Sequence, residues 1–228
     1  MQDTPILFRL SLLFGGLAML AWAGIQLGIL GHGDRRDPRK AHAHGEPLPL
    51  PAARYRKTGP DKDIPNYGPL PPFRLVDDAG RTLDRERLSG HVWVASFLFT
   101  RCAGTCPTTA QRTQVLQASL PEGAKLVTLS VDPEHDTPEV LAEYAREQGR
   151  QEGRWLFATG AYREVSRLAA KGFYLGGSGA LFHSTRLALV DRRGDFRGFY
   201  ESTDDAELAR LVRDIALLQA AHPAPDSA

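Results

Sequence analysis

The chain has 228 residues, 42% of them hydrophobic, which is enough for one domain with a sizeable core plus extensions. Twenty-eight Lys and Arg against 27 Asp and Glu leave a net charge of +1. No basic stripe interleaved with aromatics is present, which argues against a nucleic-acid partner. Two cysteines are too few for a disulfide scaffold, and their closeness in sequence points to one shared site.

Leu10 to Gly33 is a 24-residue run without a charged side chain apart from His32, long enough to cross a bilayer once as a helix. It is therefore read as one N-terminal transmembrane helix, with residues 1–33 as the anchor. A cleaved signal peptide is the rival reading; against it, the run exceeds a usual apolar signal core and no small-x-small cleavage site closes it. Arg9 precedes the run and Arg35, Arg36, Arg39 and Lys40 follow it, so the positive-inside rule alone would put the rest of the chain in the cytoplasm. Residues 34–70 are proline-rich with scattered charges and read as an extended tether. His32, His42 and His44 lie close together there, in what is better read as solvated linker than as a metal-capture site.

The folded domain is expected over residues 71–222, with 223–228 as a disordered tail. FRLVDDAGRTLD reads as a hairpin turning at Asp78-Ala79-Gly80, and SGHVWVASFLF as the first central strand. A helix follows from Pro107 to about Leu120, with Val115, Leu116 and Leu120 on one side. KLVTLSV, from Lys125 to Val131, is a second buried strand. Asp136, Thr137 and Pro138 open a helix whose apolar face is Val140, Leu141, Tyr144 and Ala145. WLFAT is a short strand and AYREVSRLAAKG a helix ending at Gly172. RLALVDRRGDFRGFY reads as a hairpin turning at Gly194. Asp204 with Glu207 can cap a last helix bearing Leu208, Leu211, Val212, Ile215 and Leu218. Strands alternating with helices and closed by an antiparallel hairpin give an α/β fold, a central mixed sheet covered by helices on both faces. A redox-type cysteine turn after the first central strand makes it thioredoxin-like.

That turn carries the chemistry. Cys102 and Cys106 follow the buried run Val92–Phe99, and Pro107 sits where a helix takes its first residue. A thiol against the positive end of a helix dipole is expected to have a lowered pKa, and so to act as a nucleophile or soft-metal ligand. Four positions apart on one helical turn, the two Cα atoms would lie roughly 6 Å apart, compatible with a disulfide or a shared metal. Two thiolates suit Cu(I) better than Zn(II), which prefers four ligands. A third ligand would have to come from elsewhere. His183, on the approach from a Gly-rich loop into a strand, is the obvious candidate, though a histidine bonded to backbone at a strand start fits equally well. Arg101 reads as a surface arginine, His135 as solvent-exposed, and Asp132 as either a cap or a supporting group behind the ligands.

FLFTRCAGTCPTTA, SVDPEHDTPEVLAEY and FHSTRLALVDRRGDFRG together resemble the SCO/SenC family of membrane-anchored copper chaperones, in the family's order and over nearly the whole chain. The resemblance implies a thioredoxin-like domain held on the outer face of the inner membrane, periplasmic in a bacterium, against the charge rule. It implies that Cys102, Cys106 and His183 bind one copper ion. It also implies a role in assembling the dinuclear copper centre of cytochrome c oxidase, by delivering copper or by reducing the recipient cysteines. The partners implied are subunit two of that oxidase or another copper protein, with an upstream periplasmic copper carrier or thiol reductant. Ala103-Gly104-Thr105 departs from the family, which often has proline and an acidic residue after the first cysteine.

The alternative is a thiol–disulfide oxidoreductase of the cell envelope in which Cys102 attacks and Cys106 resolves, without copper. A redox or copper sensor is a further reading. A peroxiredoxin would want threonine and proline where Phe99 and Ala95 stand.

Overall fold

The computed structural model describes residues 50–104, 106–175 and 185–221. The expected anchor, His32, His42, His44, His183 and the tail 223–228 lie outside the described residues. Among the described residues no helix is long and apolar enough to cross a membrane.

In chain order the strands are β1 (Gly68–Pro69), β2 (Arg74–Asp77), β3 (Thr82–Asp84), β4 (Trp93–Leu98), β5 (Lys125–Ser130), β6 (Trp155–Thr159), β7 (Arg186–Val190) and β8 (Asp195–Glu201). The helices are α1 (Arg85–Leu88), α2 (Cys106–Ser119), α3 (Pro138–Glu147), α4 (Tyr162–Arg167, continued by a wider π-type turn over Leu168–Gly172) and α5 (Asp205–Ala221). The strands form one mixed sheet in the order β1-β8-β7-β4-β5-β6-β2-β3. β4, β5 and β6 are parallel neighbours, while β7 runs antiparallel to β4. This is the expected sheet covered on both faces.

All six residues of β4 are buried, because the strand is central and both of its faces are covered. Trp93, Ala95 and Phe97 point into a layer with Phe73, Val165, Leu168 and Phe173. Val94 points the other way, toward Leu116 of α2, Leu141 of α3 and Leu211 and Ile215 of α5. Each such large side chain contributes roughly 1.5–3 kcal/mol on burial, so the two layers hold β4 firmly at the sheet centre.

Two expectations are corrected here. The tether over 34–70 gives way to packed structure well before residue 71: Arg54 bridges Asn66, and Ile64 and Leu70 are buried. The anchor for this stretch is the buried Arg197, whose guanidinium meets Asp191 at 2.9 Å and Asp61 at 3.4 Å and donates to the carbonyls of Ile64 and Pro65. Val115 is 57% exposed, because the inward face of α2 is formed by Cys106, Thr109, Ala110, Thr113, Leu116 and Gln117, and Val115 falls on the opposite side of the helix.

Candidate metal and redox centre

β4 ends at Leu98, and the chain turns at once. The Cys102 amide donates to the Phe99 carbonyl at 3.2 Å, and α2 begins at Cys106, one residue earlier than expected. Cys102 therefore sits in the turn ahead of the helix, half-buried, while Cys106 is its buried first residue. The sulfurs are thiols in hydrogen-bond contact with each other, and no disulfide joins them. Leu98 and Ala110 pack beside them, with Phe99 and Tyr144 at the edge. A Cβ added at Gly104 would lie 3.7 Å from Cys102 Sγ, in ordinary van der Waals contact, so Gly104 stands beside the sulfur.

The electrostatics reverse the expectation for Cys106. Burial pushes its thiol up to about 12, reinforced by the hydrogen bond to Cys102. A helix dipole contributes about 0.3–1 kcal/mol, whereas loss of solvent can move a buried group by several pH units. Desolvation wins, and Cys106 is a protonated thiol near neutral pH. Burial likewise raises the phenol of Tyr144 to about 12, with smaller contributions from the neighbouring Cys106 and Cys102.

A second loop holds the cysteine turn in place. β5 pairs in parallel with β4 up to Leu98 and Ser130, so both strands release their loops at the same end of the sheet. The fully buried Asp136 accepts from Thr100 N at 3.1 Å, Thr100 Oγ1 at 2.5 Å and Ser130 Oγ at 2.5 Å. On the surface, Arg101 Nη2 reaches Asp132 Oδ2 at 2.7 Å. Arg101 is thus a surface arginine, as expected, and it faces a carboxylate. Asp132 is its partner and caps no helix. His135 is half-buried, in a turn whose amide bonds return to Asp132.

Asp136 is the residue that sequence reasoning misplaced. Of the three residues expected to open α3, Thr137 is the cap, its hydroxyl accepting from Val140 N, and Pro138 is the first helical residue, whereas Asp136 points inward. The signal was there: Asp136 and Thr137 are both capping residues, and only one of two neighbours can occupy the cap. Beside this loop a cleft of about 250 Å³ is lined by Phe99, Asp132, Pro133 and Tyr162.

The structure brings Cys102 and Cys106 together. β7 is antiparallel to β4, so its first residue, Arg186, lies toward the cysteine end of the sheet. His183 precedes it by three residues, outside the described residues. Among the described residues no group of three or more His, Cys, Asp and Glu side chains is placed to hold a metal; the two thiols are soft donors by chemistry.

Comparison with known proteins gives a consistent picture. The SCO1/SenC family model matches residues 65–217. The SCO1 protein homolog of Bacillus subtilis is 28% identical over 163 residues, covering 68% of this chain and 84% of that one. A protein of Stutzerimonas stutzeri described as copper-binding is 31% identical over 149 residues, covering 59% of this chain and 70% of that one. Among solved structures, BsSco superposes with a TM-score of 0.61 at 28% identity, covering 69% of this chain and 96% of that one. It is described as having a disulfide switch and as a member of the Sco family of cytochrome c oxidase assembly proteins.

Proposed function

The chain belongs to the SCO1/SenC family, and from that premise we propose that it is a membrane-anchored copper chaperone for cytochrome c oxidase assembly. Copper is its cargo, with Cys102, Cys106 and His183 as ligands. The apolar run 10–33 serves as the anchor, with the folded domain in the periplasm. The observation that carries the proposal is the pair of thiols held in contact at the end of β4, beside a strand end that leads back to His183. Two adjacent sulfurs with a single further ligand suit a soft monovalent ion of low coordination number. The copper-binding relative and the assembly role of BsSco point the same way.

Thiol reduction is the second reading, favoured by the contact between the sulfurs. Cys102, the more exposed, would attack a recipient disulfide, and Cys106 would then attack Cys102 Sγ and release the recipient. The recipient disulfide becomes two thiols and the Cys102–Cys106 pair becomes a disulfide, so two electrons and two protons pass to the recipient. Deleting the gene and assaying oxidase activity tests the assembly role. A loss restored by excess copper supports delivery, and a loss restored by an added thiol reductant but not by copper supports reduction. Unchanged oxidase activity would contradict both.

A further inference from the structure

At the other end of β4 from the cysteines, three arginines gather around the β7–β8 turn without carboxylate partners. The Arg85 guanidinium lies against Gly194, where an added Cβ would meet its Nε and Nη2 at 3.4 Å. Arg85 Nη2 donates to the Arg193 carbonyl at 3.3 Å, and Arg192 Nη1 donates to the Gly90 carbonyl at 2.9 Å. Arg192 Nε is buried with no hydrogen-bond partner. Among the described residues none of the three forms an ion pair, whereas Arg87, Arg112, Arg167 and Arg210 each do.

The neighbouring acids are already engaged. Asp191 accepts from the Arg193 and Asp195 amides and pairs with Arg197, Asp84 accepts from the Arg87 amide, and Asp195 accepts from Asn66. Glu86, which is exposed, lines the same cleft and is the one carboxylate residue among its lining. The turn is rigid, since the bonds to Asp191 fix it and Gly194 N closes it on the Asp191 carbonyl at 2.9 Å. Between α1 and this turn lies a cleft of about 280 Å³, with Arg85, Arg193 and Ser89 on its walls and Leu88 and Trp93 beneath.

Arg85 and Arg193 line one cleft without an ion-pair partner among the described residues, and an anion bound there would meet an excess of positive charge. Guanidinium groups present paired N–H donors that match phosphate oxygens. We propose that this corner binds a phosphate-bearing anion, held by Arg85 and Arg193 with the Ser89 hydroxyl. The anion is either a phospholipid headgroup or a soluble phosphate. Arg54, bridged to Asn66 beside Asp195, opens the exposed run Arg54-Tyr55-Arg56-Lys57, in which Arg56 is paired with Asp61 at 3.3 Å. The site is independent of the copper reading, being at the other end of the sheet.

The test is calorimetric titration of the full-length protein in phosphatidylcholine nanodiscs, with inorganic phosphate and separately with short-chain phosphatidylglycerol. Arg85→Gln/Arg193→Gln is compared with Arg163→Gln, an exposed arginine on α4. Saturable binding of at least one ligand is expected, weakened about tenfold or more in the double variant and unchanged in the control. Binding of phosphate assigns a soluble anion, and binding of the lipid alone assigns a headgroup. Arg193→Gln, a change at an exposed side chain, serves in place of the double variant if that one melts early. No saturable binding of either ligand, or binding indifferent to the substitutions, would overturn the proposal.

Discussion

At Cys106 two effects of opposite sign meet, and burial overrides the helix N-terminus. The consequence is readable in stability against pH. The folded thiol is raised to about 12, while in the unfolded chain it ionises near its ordinary value of 9.0. Above pH 9 the unfolded state therefore holds fewer protons than the folded one, and stability falls from about pH 9 toward 12. Cys106→Ala should flatten that part of the urea-midpoint profile, whereas Tyr144, also raised, should keep a smaller slope above pH 10. An equal slope in wild type and Cys106→Ala would show that the buried thiol is not its source. Asp136 gives a second residue-level prediction. Asp136→Asn keeps the shape but removes an accepting oxygen from a fully buried site, which should cost about 1–3 kcal/mol in urea unfolding. The same substitution should speed alkylation of Cys102, because Thr100 is then less firmly held. That only one of Asp136 and Thr137 can cap was legible, but not which, since aspartate is if anything the better cap and the choice depends on Thr100 and Ser130 being across the loop.

Among the elements, those written in continuous local patterns were legible. The run Val92–Phe99 reads as a buried strand because both sheet faces are covered, and the hairpins at Gly80 and Gly194 read from their turns. The last helix shows its start in Asp204, whose Oδ1 accepts from the Ala206 amide at 2.8 Å and the Glu207 amide at 3.3 Å. Asp204→Ala should therefore cost about 1 kcal/mol, seen as a lowered urea midpoint with unchanged slope. The face of α2 was less legible, because Thr109, Thr113 and Gln117 are buried and Val115 is not, so polarity misleads about which side is inward. Thr113 settles there by donating its hydroxyl to the Thr109 carbonyl at 2.8 Å, and Gln117 by bonding the Gly149 carbonyl and Gln151 amide. These partners lie on other elements or the preceding turn, where periodicity cannot see them.

Across the whole molecule, the least legible feature is the stretch before residue 71, which composition reads as tether. Its order comes from contacts more than 120 residues away in sequence: Asn66 to Asp195, and Asp61 and Ile64 to Arg197. Arg197→Met would leave Asp191 and Asp61 buried without this guanidinium and should cost about 3–5 kcal/mol, with proteolysis of residues 50–66 accelerated. Unaltered proteolysis there would mean that the apolar contacts of Ile64 and Leu70 suffice. The sheet also separates two groups of side chains, with the two thiols at the carboxyl end of β4 and, among the described residues, arginines outside any ion pair at its start. The central claim concerns the first of these, and anaerobic Cu(I) titration of the reduced protein against a competing chelator tests it most directly, on wild type, Cys102→Ser and His183→Ala. One tightly held copper per chain, weakened by both substitutions, is the predicted result. Binding that is absent, or that is indifferent to His183, would contradict it and leave Cys102 and Cys106 as a redox pair alone.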